Sequence, residues 1–133
     1  MSVAEEHAYT IEDVLNELKE QQKEGLFTTV FRMVSHLVAK NAELKGFHDI
    51  GMTKGDCYAL IHSEVSEAFE CTRAKEEPQS QKCPGFTHET EELADVLIRM
   101  MDYAVRYKLP LAEAVLAKAV YNTSRPFMHG KKI

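Results

Sequence analysis

Apolar residues recur three and four positions apart along most of the chain, a spacing that predicts helix almost throughout. Ile11, Val14, Leu15 and Leu18 make one face of a first helix, opened by a Thr10-x-x-Asp13 capping box and ending near Gly25. Phe27, Val30, Phe31, Val34, Leu37 and Val38 make the second, and their pattern stops before Gly46. Gly46, Gly51 and Gly55 punctuate a loop, after which Thr53 or Asp56 caps a third helix. Residues 76–86 contain Pro78, Pro84 and Gly85, which break the helical run. A fourth helix is predicted from about residue 87 to 107, and Pro110 opens a last one that continues to about 122 and is ended by Pro126. The expected fold is all-α, a compact bundle of four to five helices.

Two acidic pairs interrupt this pattern. On a helical wheel of residues 57–71, Glu64 falls within the arc of Cys57, Leu60, Ile61, Ala68 and Cys71, with Glu67 at its edge. An unpaired buried carboxylate is costly, so Glu64 requires a cation, a proton or a basic partner. Glu92, Asp95, Arg99 and Asp102 form a polar stripe on a helix otherwise covered by Leu93, Val96, Leu97, Ile98, Met100, Met101, Ala104 and Val105. Such a helix is expected to be central, with its acidic stripe facing a cleft.

Residues three apart share a helix face, so Glu64-x-x-Glu67 and Glu92-x-x-Asp95 each present two carboxylates together. Four such groups from two facing helices suit a hard cation. With no imidazole or thiolate expected beside them, magnesium or manganese is favoured over zinc. A ferritin-like di-iron site needs Glu-x-x-His, and none of the 6 histidines follows a glutamate at that spacing. A reading from another class also accounts for the pairs: they serve as salt-bridge partners in a non-catalytic helical interaction or dimerisation module.

Composition narrows the classes further. At 133 residues the chain is read as one domain, with a flexible N-terminus at 1–9, a helical domain at 10–125 and a basic C-terminal tail at 126–133 contributing to the site. A net charge of -5 argues against a nucleic-acid partner, although Arg125, His129, Lys131 and Lys132 make the C-terminal end basic. Cys57, Cys71 and Cys83 form no CxxC and point to a reduced compartment. There is no leader-like N-terminus and no apolar run that could span a bilayer, so a cytoplasmic protein without membrane contact is expected. His36 and His62 read as hydrogen-bonded core histidines, and Cys57 and Cys71 as small core hydrophobes.

HSEVSEAFE at 62–70, EELADVLIRMMDYA at 91–104 and YNTSRPFMHGKKI at 121–133 resemble the MazG-like, all-α nucleoside triphosphate pyrophosphohydrolases. The family pattern of ExxE, a variable insert and ExxD falls on Glu64, Glu67, Glu92 and Asp95, which the resemblance makes both metal ligands and catalytic residues. It implies a magnesium-dependent reaction, with manganese as a substitute, in which an NTP or dNTP and water give the monophosphate and pyrophosphate. Nucleotide-pool house-cleaning and assembly as a homodimer or homotetramer are implied with it. Ser63 stands where many members have another glutamate, which leaves the number of ions open, and the general base is one of several carboxylates. By the same resemblance Lys118, Asn122 and Arg125, with Lys131 or Lys132, meet the phosphates, the alternative being that Lys118 and Asn122 only cap an exposed face, while Asn41, Lys45, Phe47 and His48 match a nucleotide-contacting segment. Phe47 either stacks on a base or fills the core, and without a tryptophan the base and sugar preference stays open.

Overall fold

The computed structural model describes residues 10–131, apart from the side chains of 21–24 and 129. The stretch 1–9, expected to be flexible, and Lys132 lie outside the described residues. Among those described, five α-helices follow one another: α1 (Ile11–Glu24), α2 (Leu26–Leu44), α3 (Lys54–Cys71), α4 (His88–Arg106) and α5 (Leu111–Thr123), then a 3₁₀ turn at Phe127–Gly130. No helix is long and apolar enough to cross a membrane.

The helix ends are set by local chemistry. Thr10 and Asp13 exchange backbone-to-side-chain hydrogen bonds of 2.9 and 3.1 Å, closing the box before α1. Gly25 alone separates α1 from α2, and its φ of 65° is a left-handed conformation that glycine adopts without a Cβ clash. Thr53 is the N-cap of α3, and Asp56 reciprocates as its third helical residue. Thr87 caps α4. The final helix stops at Thr123, two residues before Arg125, and Pro126 instead precedes the 3₁₀ turn.

By contact the chain divides into two compact units, one holding residues up to Arg32 and from Pro110 onward, the other Met33–Leu109. In the first, α1 packs with α5, Arg32 pairs with Glu113, and Ala112 and Leu116 are buried. In the second, α3 packs along α4. Small side chains let these two helices approach: Cys57, Ala68 and Ala104 are buried, and Tyr103 lies between Tyr58 and Tyr107 with ring centroids 5.0 and 4.5 Å away.

Among the described residues, part of the apolar surface of α4 stays uncovered. Leu93, Leu97, Ile98 and Met100 are exposed, while Glu91, Glu92, Met101, Tyr103 and Ala104 are the buried positions. The expected relation of a buried apolar surface to an open acidic stripe is therefore partly inverted. The cause is that α3, the helix packed on α4, brings its own glutamate to the contact. His36 and His62 are exposed too: the first lies on α2 among the exposed Val30, Val34 and Leu37, and the second lies beside the buried Cys57 and Ala68 arc of α3, not within it. Cys57 is buried, Cys71 half-buried and Cys83 exposed, all as free thiols.

Candidate metal centre

The N-terminal half of α4 lies against the middle of α3, and this brings the two acidic motifs together. One carboxylate oxygen from each of Glu64, Glu67 and Glu92 lies within 4.8 Å of the others. Glu64 and Glu92 are buried, at 8% and 2% exposure, and Glu67 is exposed, so the group opens to solvent on one side only. Ser63 donates a 3.3 Å hydrogen bond to Glu67 from the position where a further carboxylate was noted as absent. Asp95 is not in this close group. It lines the cavity beside Glu64 and Arg99.

Crowding of like charges marks the centre electrostatically. Burial holds the Glu92 carboxyl above its usual range, and a hydrogen bond with Glu64 and the charge of Glu67 push it further the same way. Burial and then the Glu64 charge also raise Asp95. The need inferred for Glu64 is met by a basic partner, since Arg99 Nε and Nη2 both lie 2.6 Å from Glu64 Oε1. Two of the four motif carboxyls therefore hold a proton more readily than free ones do, and a bound cation would relieve the crowding that causes it.

One neighbour was not anticipated. Imidazole is present after all: His88 Nε2 lies 3.3 Å from Glu92 Oε1, and His88, Glu91 and Glu92 form a second group with ligand atoms within 4.8 Å. The signal was local, because His88 precedes Glu92 by four residues on one helix face. Glu91 is otherwise engaged, accepting a 2.5 Å hydrogen bond from Ser80 with the Lys82 ammonium 2.9 Å away. These partners, the Ser80 hydroxyl foremost, hold Glu91 down at about 2.

A cavity of about 550 Å³ adjoins the centre. Leu37, Val38, Ala42, Phe47, Met52 and Ile98 give it an apolar wall, and Asn41, Glu64, Asp95, Arg99 and Asp102 supply polar groups. Its size is that of a small-molecule site. Phe47 is exposed on this wall and is not a core residue. His48 Nε2 sits 2.7 Å from Asp102 Oδ1 and so fastens the loop after α2 to α4.

Asn41 thus lies in the same unit as the acidic centre, along its cavity. Lys118, Asn122, Arg125 and Lys131 belong to the other unit. There Lys118 Nζ stands 4.7 Å from the Tyr121 ring centroid, and Lys131 is exposed. No family model, curated protein or solved structure matches the chain.

Proposed function

We propose that the chain is a MazG-like, magnesium-dependent nucleoside triphosphate pyrophosphohydrolase. The observation that carries this reading is the buried Glu64–Glu67–Glu92 group beside a cavity with an apolar wall. The donor set fits a hard divalent ion: the clustered oxygens are carboxylate, two of them are buried, and burial with mutual repulsion raises Glu92 and Asp95. Magnesium or manganese, when bound, supplies Lewis-acid neutralisation of phosphate charge and lowers the pKa of water.

The rest falls to the protein's own side chains. Glu64, Glu67 and Glu92 would hold the ion, with Asp95 next along the α4 stripe. A carboxylate not spent on holding the ion takes the water proton. Phe47 offers a flat apolar surface to a base, and Asn41 offers an amide with both donor and acceptor. Asp102, fixed by His48, lies ten residues beyond Glu92, about 15 Å along the helix, which is of the order of a nucleotide's length.

Chromatography of products from a panel of nucleoside triphosphates with Mg²⁺ tests the proposal. Monophosphate plus pyrophosphate is expected, and formation of diphosphate plus orthophosphate alone defeats it. A second reading, the helical interaction module, draws on the exposed Val65, Phe69, Leu93 and Leu97 of α3 and α4. It predicts no thermal stabilisation by Mg²⁺ with a non-hydrolysable nucleotide, whereas the enzyme reading requires one.

A further inference from the structure

The ion pair between α3 and α4 occupies the same carboxylate that the metal group requires. Glu64 Oε1 receives both Nε and Nη2 of Arg99 at 2.6 Å, while Glu64 also stands in the close group with Glu67 and Glu92. A guanidinium and a divalent cation answer the same excess of negative charge, so each weakens the other's hold on one carboxylate. We propose that Arg99 is the resident counter-cation of the metal-free centre, and that an entering divalent ion displaces it from Glu64 toward the cavity. This role rests on the metal centre proposed above.

Three features separate an exchangeable counter-cation from a fixed structural bridge. The Arg99 side chain is 37% exposed against 10% for Glu64, so the guanidinium has an open side and the carboxylate does not. Arg99 lines the cavity, which gives it somewhere to go. Asp95 and Asp102, one turn before and one turn after it on the same face of α4, line that cavity as well and can accept the released guanidinium. Phosphate oxygens entering the cavity would compete for it through the same two-pronged geometry.

The exchange has a thermodynamic consequence. In this exchange metal binding gives up the Arg99–Glu64 pair, so the pair lowers the apparent affinity of the empty protein for metal. A phosphate ligand that takes up Arg99 removes this opposition, and by linkage metal and phosphate then strengthen each other's binding. Arg99 is in this sense a positioning residue that links ion entry to substrate entry.

Calorimetric titration with Mn²⁺ alone, on the wild type, Arg99→Met and Arg99→Lys, tests the exchange. Arg99→Met should bind Mn²⁺ more tightly than wild type, on the order of tenfold, and Arg99→Lys, which keeps the charge, should stay closer to wild type. Pyrophosphate should tighten Mn²⁺ binding in the wild type more than in Arg99→Met. Equal or weaker Mn²⁺ binding by Arg99→Met overturns the exchange and leaves the metal centre standing. Failure of all three proteins to bind Mn²⁺ overturns the centre and the exchange together. Should Arg99→Met not fold, the wild type suffices: the Arg99 Nε–H resonance should shift and lose its protection from solvent as Mg²⁺ is added. A resonance unmoved at Mg²⁺ saturation overturns the proposal.

Discussion

Ser80 donates a 2.5 Å hydrogen bond to Glu91 Oε2, which fastens the proline-containing insert to the first turns of α4 one residue before Glu92. The insert is shaped for this contact. An isolated antiparallel bridge joins Gln79 to Thr87, the Ser80 amide donates to the Phe86 carbonyl at 3.0 Å, and the His88 amide donates to Pro78 at 2.7 Å. The N-terminus of α4 also favours a carboxylate through its unpaired amides. Glu91 therefore orders the approach to the acidic centre without belonging to the close Glu64 group.

Its ionisation gives a pH dependence of defined sign. Glu91 titrates at about 2 in the folded chain against 4.5 ordinarily, so its contribution to stability is complete above pH 4.5 and is lost as pH falls toward 2. Glu92 and Asp95 act in the opposite direction, since carboxyls raised by folding are relieved by protonation as pH falls. Denaturant midpoints measured against pH for wild type and Glu91→Gln separate the two. The wild type should hold its advantage near neutrality and lose it through the acid range. A constant gap between the curves at all pH values would show that Glu91 acts only through packing.

The helix boundaries were legible because their determinants are near neighbours in sequence: Thr10 with Asp13, Thr53 with Asp56, Gly25, and the prolines of the insert. Glu64 was legible as an anomaly on an apolar arc, but its partner was not, because Arg99 lies 35 residues away and is brought close only by the packing of α3 on α4. His36 and His62 went astray for a different reason. His36 sits on an apolar arc of α2 that stays exposed among the described residues, whereas His62 borders a buried arc of α3, and one position around the helix separates core from solvent. The two-unit division has no sequence signal either, since its boundary at Arg32 and Met33 falls inside the continuous helix α2.

Glu64 and Glu92 should respond differently to loss of charge. Of the cation, proton or basic partner that Glu64 requires, Arg99 supplies the last, so the raised Glu92 carries the crowding instead. Glu92→Gln is predicted to leave the metal-free protein as stable as wild type or more stable by about 1 kcal/mol. Glu64→Gln should cost about 1 kcal/mol, because it strands Arg99 beside a buried amide, a loss tempered by the solvent on the arginine side. Both variants should lose Mn²⁺ binding in calorimetry. Retained binding by either removes that residue from the ligand set.

The cavity wall makes a prediction about substrate affinity. If the Phe47 ring stacks on a base, Phe47→Ala should raise KM by roughly tenfold, in keeping with about 1–3 kcal/mol for a stacked base, and change kcat much less. His48→Ala frees Asp102 and the loop that carries Phe47, so it should shift KM the same way to a smaller extent. Steady-state kinetics on one nucleoside triphosphate decides this. A fall in kcat at constant KM would place these residues in the chemical step and not in base binding.

Assembly is the last prediction, and the exposed apolar positions supply its argument. Val65 and Phe69 recur four apart on α3, Leu93 and Leu97 four apart on α4, and all four side chains are more than 40% exposed. Isolated apolar residues on a surface are ordinary, but paired stripes on two adjacent helices are costly in water and mark an interaction face. A second copy of the chain fits such a face without any charge matching, because the stripes are neutral and identical copies pair by two-fold symmetry. Light scattering on the wild type should therefore give the mass of a dimer or tetramer, not the 15.1 kDa of one chain. Leu93→Lys combined with Leu97→Lys should shift the mass toward the monomer, because burying two unpaired ammonium groups would cost more than the interface gains from those positions. The substituted positions avoid the Glu64 group, so Mn²⁺ binding should survive in the variant if the centre is complete within one chain. A monomeric wild type would instead assign these stripes to a different partner, and a monomeric variant that no longer binds Mn²⁺ would show that the centre depends on the assembled form.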